Sequence, residues 1–176
     1  VSAIERQESF ELTYRLLHAD GHSVWVREKG RGEYDSHGNL QWISGFIWDI
    51  SDRKAVEDQL RLSQQRFSSA FSTAPQGMAL VSLQGQWLEV NEVLCEMLDY
   101  SREEMLRSDF QHITHPDDLD ADLQNIDDLL AGRIDSYQME KRYLDRQNRI
   151  IWVLLSVSLV RDSDNQPVRF VAQIQD

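Results

Sequence analysis

Shifting the chain by 127 positions lays Phe10 to Asp49 over Tyr137 to Asp176 without a gap. Identical pairs in these forty positions are Arg15/Arg142, Leu17/Leu144, Trp25/Trp152, Val26/Val153, Asp35/Asp162, Ser36/Ser163, Ile47/Ile174 and Asp49/Asp176. Any fold assigned to the chain must therefore accommodate one supersecondary unit twice.

Each copy reads as three strands joined by hairpins. In the first, Phe10 to Leu17 meets Asp20-Gly21, a dipeptide suited to the positive φ angles of a tight turn. Val24 to Gly30 then leads through Asp35 to Asn39 into a third strand, Leu40 to Ile50. In the second, Gln147-Asn148 and Asp162 to Gln166 take the same turn positions between strands at Tyr137 to Leu144, Ile150 to Arg161 and Val168 to Ile174. Asn tolerates positive φ, so it can replace Gly there.

The material between the copies has no counterpart before the first. Arg53 to Phe71 is rich in helix formers, and Val56, Leu60, Ser63, Phe67, Ala70 and Ala74 fall at the 3.5-residue period of a coiled-coil seam. Ala74-Pro75 ends it. Strands are predicted at Gly77 to Val81 and Trp87 to Val90, with Asn91 capping a helix and Ser101 with Glu104 forming a capping box for another. Pro116 to Leu130 is a further helix, with Pro at its start and Gly132 beyond its end. This order predicts an α+β fold: one central antiparallel sheet of about five strands with short helices on one face, preceded by a three-stranded partial unit and a linker helix. We place the divisions at 1–52, 53–66 and 67–176. The first unit has only closing strands, so its missing half or a partner chain is expected to cover it.

With 18 Lys and Arg against 30 Asp and Glu, the net charge of −12 argues against nucleic acid or an anionic membrane surface as partner. The lone Cys95 allows no intramolecular disulfide and fits a cytoplasmic setting. No run is long and apolar enough for direct membrane insertion, although a longer parent could be anchored elsewhere. The chain lacks an initiator Met and is expected to be a fragment.

The residues from Phe67 to Asp176 resemble a PAS domain with its PAC segment, a bacterial sensory module. The resemblance rests on Ser69-Ala70-Phe71 through Ala74-Pro75-Gln76-Gly77-Met78-Ala79-Leu80, Asn91, and Leu98-Asp99-Tyr100-Ser101-Arg102-Glu103-Glu104-Met105. It continues through His115-Pro116-Asp117-Asp118-Leu119, Glu140-Lys141-Arg142-Tyr143, Trp152-Val153 and Asp176. The first copy is similar to the closing half of a preceding PAS domain, and Asp49-Ile50-Ser51-Asp52-Arg53-Lys54 is similar to the family's junction between sheet and output helix. The wording of the second domain looks most like PAS modules ahead of diguanylate cyclase and cyclic-di-GMP phosphodiesterase domains, with histidine kinases second. The resemblance thus implies a non-catalytic sensory and dimerisation module acting on an output domain in its own parent chain.

It also implies a cavity on the inner face of the sheet, lined by Met78, Leu80, Trp87, Asn91, Tyr143, Val153, Leu155, Val157, Phe170, Ala172 and Ile174. A non-covalent flavin is one candidate occupant, bracketed by Trp87, Asn91, Tyr143 and Trp152, and an empty cavity or a small metabolite is the other. Haem is disfavoured because the helix from Pro116 has no His, and a flavin adduct because Cys95 lacks the photoreceptor motif. Pleat alternation sends Trp152, Leu154 and Ser156 to the outer face. Signal transmission is assigned to Trp25, Arg27, Asp49, Ser51, Trp152 and Asp176. Asp49 either accepts hydrogen bonds from the middle strand or Arg27, or caps the helix with Ser51. A homodimer is expected along Val56, Leu60 and Phe67. No metal site is expected: His112 and His115 precede the helix, and Asp117 and Asp118 suit its dipole. Gly30-Arg31-Gly32 is read as a bulge.

Overall fold

The computed structural model describes residues 8–176. The chain divides after Arg66 into two compact units. The first contains an antiparallel sheet of β1 (Phe10–Leu17), β2 (Ser23–Tyr34) and β3 (Leu40–Asp49), in that order. Helix α1 (Ser51–Thr73) is continuous. It starts two residues earlier than the sequence suggests because Asp49 Oδ1 accepts from the Ser51 amide at 2.8 Å.

The second unit adds β4 (Gly77–Val81), β5 (Trp87–Val90), α2 (Glu92–Leu98), α3 (Arg102–Leu106), α4 (Phe110–Ile113), α5 (Pro116–Leu130), β6 (Ser136–Leu144), β7 (Ile150–Arg161) and β8 (Pro167–Gln175). Its five strands run in the order β5-β4-β8-β7-β6, all antiparallel. The core lies between this sheet and helices α2 to α5, gathering Trp87, Leu94, Leu98, Met105, Phe110, Leu129, Tyr143, Leu155 and Phe170. The expected α+β architecture is thus present.

The repeat holds at the level of atoms. Gly21 and Gly38 have φ of 94° and 81°, and their counterparts Asn148 and Asn165 have 59° and 60°. Asp35 Oδ1 accepts from the amides of His37 and Asn39 at 2.9 and 2.8 Å, and Asp162 Oδ1 accepts from those of Asp164 and Gln166 at the same distances. Each short carboxylate satisfies turn amides that no strand partner can reach. Arg15 lies 5.5 Å from the Trp25 ring centroid, and Arg142 lies 5.5 Å from that of Trp152. Burial separates the copies: Ile43 and Ile47 are exposed, whereas Phe170 and Ile174 at the matching positions are buried. Among the described residues the first unit has no helical layer corresponding to α2 to α5.

Gly30-Arg31-Gly32 is not a bulge. Pairing with β3 is regular through Gly30 opposite Gly45 and Gly32 opposite Ile43, and the register shift falls between Glu33 and Tyr34. Gly30 instead permits close packing across the pair, since a Cβ on it would meet the Phe10 ring at 2.7 Å, and one on its partner Gly45 would meet the Lys29 carbonyl oxygen at 2.5 Å.

Candidate functional site: a buried ion pair under the sheet

On β6, alternation puts Tyr137, Met139, Lys141 and Tyr143 on the face that meets α5. Lys141 is therefore carried into the core with its tyrosine neighbours, and it is wholly buried. On α5, Leu119, Asp122, Ile126 and Leu129 recur at helical spacing, so Asp122 points at the same sheet face. Lys141 Nζ donates to Asp122 Oδ2, and a second donation reaches Thr114 Oγ1 at 3.0 Å. The Tyr137 hydroxyl donates to Asp122 Oδ1 at 2.5 Å. The ammonium also lies 4.4 Å from the Tyr143 ring centroid and 5.3 Å from that of Phe110.

Burial pulls the Lys141 ammonium below its usual range, and the Asp122 carboxylate opposes that shift. Tyr137 and Tyr143 are pushed upward, first by burial and then by Asp122, so both stay protonated. At the mouth of α5, Asp118 grips Arg142 from both carboxylate oxygens, at 2.9 and 2.7 Å, and accepts its amide at 2.8 Å. These bonds hold the Asp118 carboxyl at about 2. The acidic pair at the start of α5 therefore fastens the helix to β6 as well as suiting the dipole. Both His precede α5: His115 is its N-cap, and His112 lies in α4.

Beside the ion pair is a cavity of about 20 Å³ lined by Val81, Trp87, Phe110, Asp122, Ile126, Tyr137, Lys141, Tyr143, Leu155, Val157, Phe170 and Ala172. That is room for about one water. Among the described residues, no hydrogen-bond partner reaches the buried indole Nε1 of Trp87. An isoalloxazine ring does not fit, since ligand pockets of that class run to about 300 Å³ or more.

Six expected lining residues, Trp87, Tyr143, Leu155, Val157, Phe170 and Ala172, do surround this cavity. Val153 and Ile174 belong to the same buried cluster without reaching it. Met78 and Leu80 are not on its wall, contrary to expectation: Ala79 and Val81 face Ala172 and Phe170 across the ladder, leaving Met78 and Leu80 on the opposite face. Asn91 is not on the wall either and instead ties a junction. Its Oδ1 accepts from Met78 and Leu94 amides at 2.9 and 3.1 Å, and its Nδ2 donates to the carbonyls of Phe71 and Gln76 at 3.2 and 2.9 Å. Trp152 is 60% exposed on the outer face, so it brackets nothing in the cavity.

In the first unit, Asp49 caps α1 and does not receive Arg27. Arg27 stands opposite Trp48 and lies 3.5 Å from Glu11. The Trp25 amide donates to Ser51 Oγ at 3.0 Å, and the Ile50 amide donates to the Trp25 carbonyl at 2.8 Å, so the start of α1 is pinned to the middle strand. Asp176 ends the second copy at the position of Asp49. Val56, Leu60 and Phe67 are 66%, 58% and 48% exposed along α1. Among the described residues no helix is long and apolar enough to cross a membrane.

Comparison with known proteins gives the same assignment. The family model described as PAS fold matches residues 1–47 and 88–174. The probable diguanylate cyclase DgcE of Escherichia coli K12 is 44% identical over 126 residues, covering 72% of this chain and 11% of that protein. The two-component sensor PprA of Pseudomonas aeruginosa is 26% identical over 166 residues, covering 89% of this chain and 17% of PprA. The chain thus spans between about a tenth and a fifth of these relatives. The PAS domain structure from Colwellia psychrerythraea superposes with a TM-score of 0.60 at 18% identity, over 65% of this chain and 96% of that one. With its sheet order, its helical cover and most of its length matched by the family model, the chain belongs to the PAS family.

Proposed function

We propose that this chain is a non-catalytic sensory and dimerisation module that regulates a cyclic-di-GMP output domain, diguanylate cyclase or phosphodiesterase, in its own parent protein through helix α1. The observation that carries the reading is the junction at both ends of α1. Asp49, Ser51 and Trp25 fasten its start to the first sheet, and Asn91 fastens its last turn to β4 and α2. A change in either sheet is then transmitted as a rotation or register change of the helix, which has closely spaced packing states. The likeness to DgcE supports the choice of output, and the likeness to PprA favours a kinase as the second choice.

The exposed stripe of Val56, Leu60 and Phe67 supports pairing of two copies along α1. Light scattering at about 100 μM tests this: a dimer that becomes a monomer when all three are made polar upholds it, and a monomeric wild type overturns it. Native mass spectrometry with an absorption spectrum on the same sample tests the sensory half. A co-purifying small mass upholds a ligand-sensing role; a bare dimer favours a module that sets geometry alone.

A further inference from the structure

We propose that the hairpin between β1 and β2 is a binding site for a divalent transition-metal ion of the zinc class, held by His18, Asp20 and His22. The sequence His18-Ala19-Asp20-Gly21-His22 folds into a turn closed by the His18 amide on the His22 carbonyl at 2.7 Å and the Gly21 amide on the His18 carbonyl at 2.9 Å. Gly21 supplies the positive φ this turn requires. The closure stacks the two imidazoles, with centroids 4.4 Å apart and planes at 22°. Both Nδ1 atoms thereby converge on one oxygen of Asp20, at 3.0 Å for His18 and in direct contact for His22. All three ligand atoms lie within 4.8 Å of one another.

Metal bonds of about 2.0–2.2 Å set neighbouring ligand atoms about 3.0–3.5 Å apart. The His18–Asp20 edge already has that length. Two imidazoles and one carboxylate are the donor set of zinc, copper, nickel and cobalt rather than of magnesium or calcium. The side chains are more than half exposed, so an ion has access and water completes its shell. The repeat supplies a control, because the matching positions are Asp145, Gln147 and Arg149, where Arg149 Nε itself donates to Asp145 at 2.6 Å. The first copy thus differs from its twin by a convergent ligand set in place of an internal ion pair.

The test is calorimetric titration of the 176-residue chain with zinc chloride, with the absorption of the cobalt(II) complex and amide chemical shifts as second readouts. The expected result is one ion per chain at micromolar affinity, with shifts confined to the hairpin. His18→Gln and His22→Gln each weaken binding by at least about tenfold, while His112→Gln with His115→Gln leaves it unchanged. Circular dichroism verifies that the variants remain folded. No saturable binding below millimolar zinc, or binding that survives His18→Gln with His22→Gln, overturns the proposal.

Discussion

Replacing Lys141 by Met tests whether the buried pair is what organises the space under the sheet. The variant keeps a side chain of similar length but leaves the Asp122 carboxylate, which is 1% exposed, with Tyr137 as its remaining donor. Breaking a buried pair by removing one partner costs about 3–5 kcal/mol, because the surviving charge stays out of water. The hydrogen bond from Lys141 to Thr114 disappears at the same time, but it belongs to the same network and is already inside that figure. In a unit of this size the loss corresponds to a fall in Tm of roughly 12–20 °C. Replacing both groups, Lys141→Met with Asp122→Leu, removes both desolvation penalties, and such double replacements come out near neutral or stabilising. The assay is denaturant-dependent hydrogen exchange at the amides of β7 and β8, which reports the second unit separately from the first. The single variants should each be less stable by about 3–5 kcal/mol and the double variant should lie within about 1 kcal/mol of the parent. Single costs below about 1 kcal/mol, or a double variant that loses the sum of the two, would refute the claim that the pair is coupled and desolvated.

Other outcomes follow from the surrounding interactions. Asp118 is held near a value of about 2 against an ordinary 3.8, chiefly by hydrogen bonds from Arg142. Because its folded value is the lower one, its contribution is present above about 4 and disappears as pH falls towards 2. After screening by water this is about 1–2 kcal/mol, and Asp118→Asn should flatten that part of an acid titration of stability. Asp49→Ala should speed exchange of the Ser51 amide while leaving β7 amides unchanged; equal exchange in both proteins would remove the cap from the account. Gly45→Ala forces a Cβ against the Lys29 carbonyl oxygen, and thermal unfolding of the first unit should shift down by the equivalent of about 1–3 kcal/mol.

The inner face of β7 and β8 was legible because the family resemblance chose between the two parities that the pleat allows: Leu155, Val157, Phe170 and Ala172 line the cavity. β4 defeated the same logic. Gly77-Met78-Ala79-Leu80-Val81 is apolar throughout, so residue type cannot say which parity points inward. Its ladder with β8 decides it, since directly opposed residues share a face and Ala79 stands opposite Ala172. Lys141 was missed although its signal was present. It stands two residues from Tyr143 and four from Tyr137 on one strand, and an inward Lys demands an inward carboxylate, which Asp122 supplies from the apolar stripe of α5. Pairing the two requires knowing that α5 lies over β6, which is tertiary information.

The repeat separates scaffold from function more sharply than either copy could alone. Where the two copies agree, in the carboxylate-held turns and in the Arg-over-Trp stacks, the shared geometry is what a three-stranded meander needs in order to close. Trp25 and Trp152 therefore have a structural role first, and any part in signalling comes from what docks on their backbone, as Ser51 does on Trp25. Where the copies disagree, the difference is chemical and local. The first hairpin has two imidazoles where the second has an Asp–Arg pair, and the first sheet exposes Ile43 and Ile47 where the second buries Phe170 and Ile174 under its helices. The same backbone thus presents a polar ligand set and an open sheet in one unit and a sealed, charged core in the other. Exchange of the hairpins, residues 18–22 for 145–149, follows directly from this argument: the meander should survive in both positions, and zinc binding should move with the histidines.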